Sequence, residues 1–372
     1  MENKLNFIID AHQDLAWNMH VYGRDYTQSV TQTREVERGT YVPGQNGDTL
    51  LGWPEYQKGR IAFVIGSLFA LPLRKRHEIP EKFCYSDAQQ AYDLCRRQCD
   101  LYDRLVNDHP DKFHLIETKE ELDAIATQWN RLSEDSQSGE TAPTGILISI
   151  EGAECVRNPD ELAEWWQRGV RLIGPAWVGT RFCGGTDEPG PLSPEGYELL
   201  EAMADFGFIL DLSHMDEQAA LQALDIYPGE IIASHSNAAA LLKNYDGNRH
   251  LSDLVIKRII ERGGVIGVTP FNKFLLNGWS IMDGREIVTL EQYTKHIDYI
   301  CQIAGSSEHV AIGSDFDGGF GLQSVPSGIN SIAELHKITP ILAEKGYSES
   351  DIGAVLANNW FRKIKFSLPD VL

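Results

Sequence analysis

The sequence predicts a closed (β/α)8 barrel of the TIM type, on three observations. Eight short, almost wholly apolar runs recur along the 372 residues. Amphipathic segments lie between most of them. No glycine-rich phosphate loop follows the first run, where an open doubly wound sheet would carry one; the chain there reads DAHQDLAW.

The runs are residues 5–10, 61–68, 145–150, 170–174, 208–212, 231–233, 265–268 and 310–312. Each lacks the alternation of a half-solvated strand, so each reads as a parallel strand buried on both faces. Between them, residues 86–106 place apolar side chains at helical spacing. Thr118 with Glu121 forms a capping box before LDAIATQW, Thr289 with Gln292 does so before 293–303, and Ser348 with Asp351 opens the last helix. Residues 216–223 and 253–262 fill two further gaps as helices. Strands alternating with helices about eight times imply a closed parallel barrel.

Three stretches read as irregular loops. Residues 22–59 are long, polar and glycine-containing; 133–143 (SEDSQSGETAP) read as mobile; 180–196 are rich in Gly and Pro. With no internal repeat and no linker, residues 1–372 read as a single catalytic barrel domain.

Composition excludes several classes. Apolar residues make up 42% of the chain, enough for a large core, while a net charge of −21 repels phosphate backbones and anionic lipid. Neither nucleic acid nor membrane is therefore expected as a partner. The six cysteines form no CxxC pair and are too sparse for a disulfide scaffold. The first residues lack a basic region followed by an apolar one, no run of about 20 apolar residues occurs, and the last residues carry no hydrophobic tail. A cytoplasmic location is the expectation.

Chemistry-bearing side chains recur where strands end. His12 and Asp14 follow the first strand as His-x-Asp, so both side chains can reach one ion. Glu151 closes the apolar run GILISIE; a carboxylate there is costly unless paired or metal-bound. His214 ends ILDLSH, His235 ends IIASH and Asp315 ends VAIGSD. Singly, the His-x-Asp pair is more often structural or capping, a lone strand-end His is more often a core residue, and Glu151 reads equally as a buried salt bridge. Together they fall at the carboxyl ends of strands, which converge on one face of a parallel barrel. Three imidazoles and three carboxylates there form a metal-ligand set favouring zinc or a similar ion. Glu151 has two oxygens and can bridge two ions; two such ions share and acidify one water. Asp315 is then the natural proton carrier to a leaving amine.

In this order the residues resemble the membrane dipeptidase (renal dipeptidase) family of the amidohydrolase superfamily. The segments that carry the resemblance include IIDAHQDLAW, GRIAFVIGSLFA, ISIEGAE, GVRLIG, LSPEGYELLEAMADFGFILDLSH, IIASHSNA, RHLSD, GVIGVTPFN and AIGSDFDG. They run in family order over almost the whole chain. The resemblance implies two zinc ions per chain, one held by His12, Asp14 and Glu151 and the other by Glu151, His214 and His235. It implies catalysis by Asp315 and a grip on the substrate carboxylate by Arg249, in RHLSD. It also implies hydrolysis of small dipeptides, and a homodimer. One departure stands out. Trp177 occupies the place, after GVRLIGPA, where the family has a His that steadies the developing oxyanion. Trp177 and the nearby Arg181 are the candidate replacements, and the departure raises the alternative of another small amide or lactam as substrate.

Overall fold

The computed structural model describes residues 5–132 and 139–371. Eight parallel strands form the barrel: β1 (Ile8–Gln13), β2 (Ile61–Phe69), β3 (Thr144–Glu151), β4 (Val170–Gly174), β5 (Ile209–Asp211), β6 (Ile231–Ala233), β7 (Val265–Val268) and β8 (Val310–Ile312), hydrogen-bonded in that order. Every residue of these strands is buried, which is why they read as unbroken apolar runs. Between β8 and β1 the ring closes through a parallel bridge of Gln13 with Phe316 and a hydrogen bond from Asp315 N to His12 O of 3.1 Å. A short ninth strand, Phe113–Leu115, pairs with the start of β3.

The capping boxes at Thr118, Thr289 and Ser348 all form. The helix expected at 86–106 runs Ala88–Asp108, capped by Asp87. Those expected at 216–223 and 253–262 run Glu217–Ile226 and Asp253–Glu261. The first strand is displaced from its expected place: it starts at Ile8 and includes His12. Among the described residues, no helix is long and apolar enough to cross a membrane.

Two of the three expected loops are built differently. Residues 22–59 hold the helices Val30–Glu37, Val42–Asn46 and Trp53–Gly59, the first opened by a Ser29–Gln32 capping box and the other two by an early proline. Their polarity reflects a helix packed on one side only, not an absence of structure. This excursion docks on the turn after β8. Arg24 pairs with Asp317 at 2.9 Å, and Tyr26, Thr49 and the Leu50 amide also donate to that carboxylate. Residues 180–196 form an antiparallel hairpin, Cys183–Gly185 with Glu188–Leu192, which lies against the chain after β5. Of the third expected loop, 133–138 lie outside the described residues.

Candidate metal centre

The carboxyl ends of β1, β3, β5, β6 and β8 bring His12, Asp14, Glu151, His214, His235 and Asp315 to one point. Glu151 lies at its middle and divides its two oxygens. Oε1 is 3.1 Å from His214 Nε2 and 3.4 Å from His235 Nε2, while Oε2 is 3.4 Å from His12 Nε2. His12 Nε2 is in turn 3.8 Å from Asp14 Oδ1 and 3.9 Å from Asp315 Oδ1. The His214 and His235 Nε2 atoms stand 3.0 Å apart, both aimed at the same small space. His12, Glu151 and His235 offer donor atoms that all lie within 4.8 Å of one another, and so do His12, Asp14 and Asp315.

Backbone geometry sets these directions. His214 and Asp315 take left-handed φ values of 68° and 57°, unusual outside glycine and a mark of functional turns. Gly318 is required by proximity: a Cβ on it would lie 2.1 Å from Asp315 Oδ1.

Supporting hydrogen bonds fix the rings. His235 Nδ1 meets Ser234 Oγ at 2.7 Å, and Ser234 is held by Asp211 through both its amide and its hydroxyl. His214 Nδ1 meets Thr186 Oγ1, on the hairpin, at 2.9 Å. With Nδ1 protonated in both rings, each Nε2 keeps its lone pair for a cation. Asp14 accepts from Ser67. Sequence reasoning did not single out Thr186, Ser234, Asp211 or Ser67, which are ordinary residue types with no spacing signal.

The electrostatics call for a cation. Burial alone would lower the His12 pKa, yet the carboxylates of Glu151, Asp14 and Asp315 hold it up at about 10. Burial, with the Glu151 charge added, raises Asp14 to about 7. Burial raises Asp315 well above the ordinary carboxylate range, and Asp14 and Glu151 add to that. Glu151 lies well below its usual range because His12, His214 and His235 outweigh its burial. Burial, then Arg249, lowers His214 to about 4. Neither nitrogen of the buried His12 ring has a hydrogen-bond partner. A buried orphan nitrogen among three carboxylates fits a divalent cation better than a water network.

Above the cluster opens a cavity of about 710 Å3, lined in part by Asp14, Glu151, Trp177, His214, Arg249 and Asp315. Arg249 is buried. It donates to His235 O at 2.7 Å and Ser236 Oγ at 3.3 Å, and its guanidinium lies 5.0 Å from the Phe274 ring centre. Among the described residues it makes no ion pair, and its Nε has no partner. Tyr245 Oη accepts from the Arg249 amide at 2.7 Å and holds this turn. Trp177 lines the cavity with its ring 6.3 Å from that of His214. Arg181 is not brought to the centre. Its guanidinium is held by Glu154 at 2.7 Å, by Glu195 at 2.9 Å and by Val156 O.

A parallel barrel with this donor set at its carboxyl end defines a metal-dependent hydrolase. The chain belongs to the membrane dipeptidase family, peptidase family M19, whose profile matches residues 4–366. It is accordingly a metallo-dipeptidase of the M19 type. A protein of uncharacterised function from Klebsiella pneumoniae is 33% identical over 59% of this chain and 81% of its own length. A dipeptidase of Claviceps purpurea is 25% identical over 83% of this chain and 67% of its own. Among solved structures, a Rhodobacter sphaeroides metallopeptidase bound to a phosphinate mimic of L-Ala-D-Ala superposes with a TM-score of 0.76. It is 20% identical, over 97% of this chain and 99% of that one. That likeness carries the fold.

Proposed function

We propose that this chain is a binuclear zinc dipeptidase that hydrolyses the peptide bond of small dipeptides. The observation that carries the reading is the division of Glu151, with one oxygen toward His12 and Asp14 and the other toward His214 and His235. Two zinc ions held there would acidify a water and polarise the scissile carbonyl. The chain's own residues do the rest. Arg249, a buried cation that makes no ion pair among the described residues, takes the substrate's free carboxylate as a charge-assisted pair. Asp315, which lines the cavity beside the cluster with Oδ1 3.9 Å from His12 Nε2, removes a proton from the attacking water and delivers it to the leaving amine nitrogen. Asp211, Ser234 and Thr186 keep the imidazoles in register with the cluster.

A second reading, hydrolysis of another small amide or lactam, is favoured by Trp177. An indole N–H can donate one hydrogen bond but cannot become cationic as a His can. With Arg181 engaged elsewhere, the oxyanion has a weaker partner on that side. Losing one oxyanion donor costs roughly 10²–10³ in kcat, so a retained but slower dipeptidase is the reading preferred here. The six cysteines, all free and buried, agree with a cytoplasmic location.

The test is elemental analysis of zinc-loaded protein together with kcat/KM over a dipeptide panel, for the natural chain and for Trp177→His. About two ions per chain and dipeptide turnover, raised by Trp177→His, are expected. Two ions without any dipeptide cleavage would transfer the assignment to the other amides.

A further inference from the structure

The cavity has two arcs that differ in charge. The chain after β6 and β7 supplies the Arg249 cation with His250, Phe271 and Phe274. The last residue of β2 and the chain after β1, β2 and β4 supply Phe69, Trp17, Ile79 and Trp177. In barrel order β1 to β4 are consecutive, so these two sets stand on opposing arcs of the mouth.

Within the second arc, which Lys75 and His77 also line, these four side chains form a contiguous apolar patch. Trp17, Phe69 and Ile79 belong to a hydrophobic cluster separate from the two that fill the barrel and its shell, and Trp177 packs against it. Phe69 makes edge contacts with Trp17 at 5.1 Å and with Trp177 at 5.0 Å between ring centres. The patch starts beside the chemistry, because Phe69 pairs in register with Glu151. Neighbouring strands lie about 4.8 Å apart, so the aromatic surface begins one strand from the bridging carboxylate. Trp17, Phe69 and Ile79 are largely buried and back the half-buried Trp177, whose ring presents most of the patch's open apolar surface. Such surface is unfavourable in water and becomes favourable when a ligand covers it.

A dipeptide is a directional ligand. On the dipeptidase reading its free carboxylate would pair with Arg249 on one arc and its scissile carbonyl would lie over Glu151. Its amino-terminal side chain then falls on the opposite arc, against Trp17, Phe69, Ile79 and Trp177. We infer that the site selects dipeptides whose amino-terminal residue is large and apolar, with aromatic side chains preferred. The inference rests on the dipeptidase reading above and adds the substrate class to it.

The experiment compares kcat/KM for Phe-Gly, Leu-Gly, Gly-Gly and Gly-Phe with the full, zinc-loaded chain. Burying one large apolar side chain is worth roughly 10- to 100-fold, so Phe-Gly and Leu-Gly should exceed Gly-Gly by that factor and Gly-Phe should not. Trp177→Ala should shrink the ratio of Phe-Gly to Gly-Gly. Ile79→Ala, a smaller change outside the barrel strands, should shrink it less, and it decides the matter if Trp177→Ala does not fold. Equal rates for Gly-Gly and Phe-Gly, or a preference for Gly-Phe, would overturn the inference while leaving the dipeptidase reading intact. No cleavage of any of the four would overturn both.

Discussion

The two oxygens of Glu151 face different surroundings. On the Oε2 side stand one imidazole, His12, and two further carboxylates, Asp14 and Asp315. On the Oε1 side stand two imidazoles, His214 and His235, with the Arg249 cation near them. The pKa directions follow: His12 is pushed up by its carboxylates, while His214 and His235 are pushed down by burial and by neighbouring positive charge. On the proposed binuclear reading, the carboxylate-rich side would draw a cation by charge and the imidazole side would hold one by lone pairs that Thr186 and Ser234 orient. Glu151 would then join two half-sites of different character, and substitutions should separate them.

The largest effect should come from Glu151→Gln. A neutral amide bridges two cations poorly, so the metal content of loaded protein should fall from about two ions toward none, with activity lost. Retention of both ions would break the comparison at its centre. Asp315→Asn comes next. It lies at the cavity edge of the carboxylate side, so kcat should fall roughly 10²–10⁴-fold while zinc is kept, as kinetics with elemental analysis would show. Near-normal kcat would remove Asp315 from the proton path.

Supporting residues should separate the half-sites. Thr186→Val and Ser234→Ala each remove a partner of an imidazole on the Oε1 side only. Such losses typically cost 10–100-fold in metal affinity or activity. Zinc titration should show one weakened site and one unchanged. Two sites weakened equally would mean that the half-sites are not distinct.

An effect of comparable size is predicted on substrate choice, without loss of metal. Charge-assisted hydrogen bonds contribute about 1.5–3 kcal/mol. The natural chain should favour free dipeptides over their carboxamides by roughly 10- to 150-fold, and Arg249→Met should abolish the preference. Equal cleavage of both forms by the natural chain would give Arg249 another role.

Much of this was legible in the sequence because each strand is buried on both faces and the candidate ligands lie at or just past strand ends. Apolar runs ending in Glu151, His214, His235 or Asp315 carry position and chemistry together. The helices within 22–59 were not legible, because short polar segments with few apolar positions give weak periodicity. Their purpose was hidden for a different reason: the Arg24–Asp317 pair joins residues far apart in sequence, and neither shows its partner locally. Thr186 was missed likewise, since its role exists only once the hairpin docks beside His214. Arg181, close to Trp177 in sequence, looked available for the oxyanion until Glu154 and Glu195 were seen to hold it.

The most direct test of the bridging claim is an anomalous difference map, collected at the zinc edge from crystals of the metal-loaded protein. Two peaks are predicted, one beside Glu151 Oε2 with His12 and Asp14, the other beside Oε1 with His214 and His235. A single peak, or two peaks neither of which touches Glu151, would contradict it.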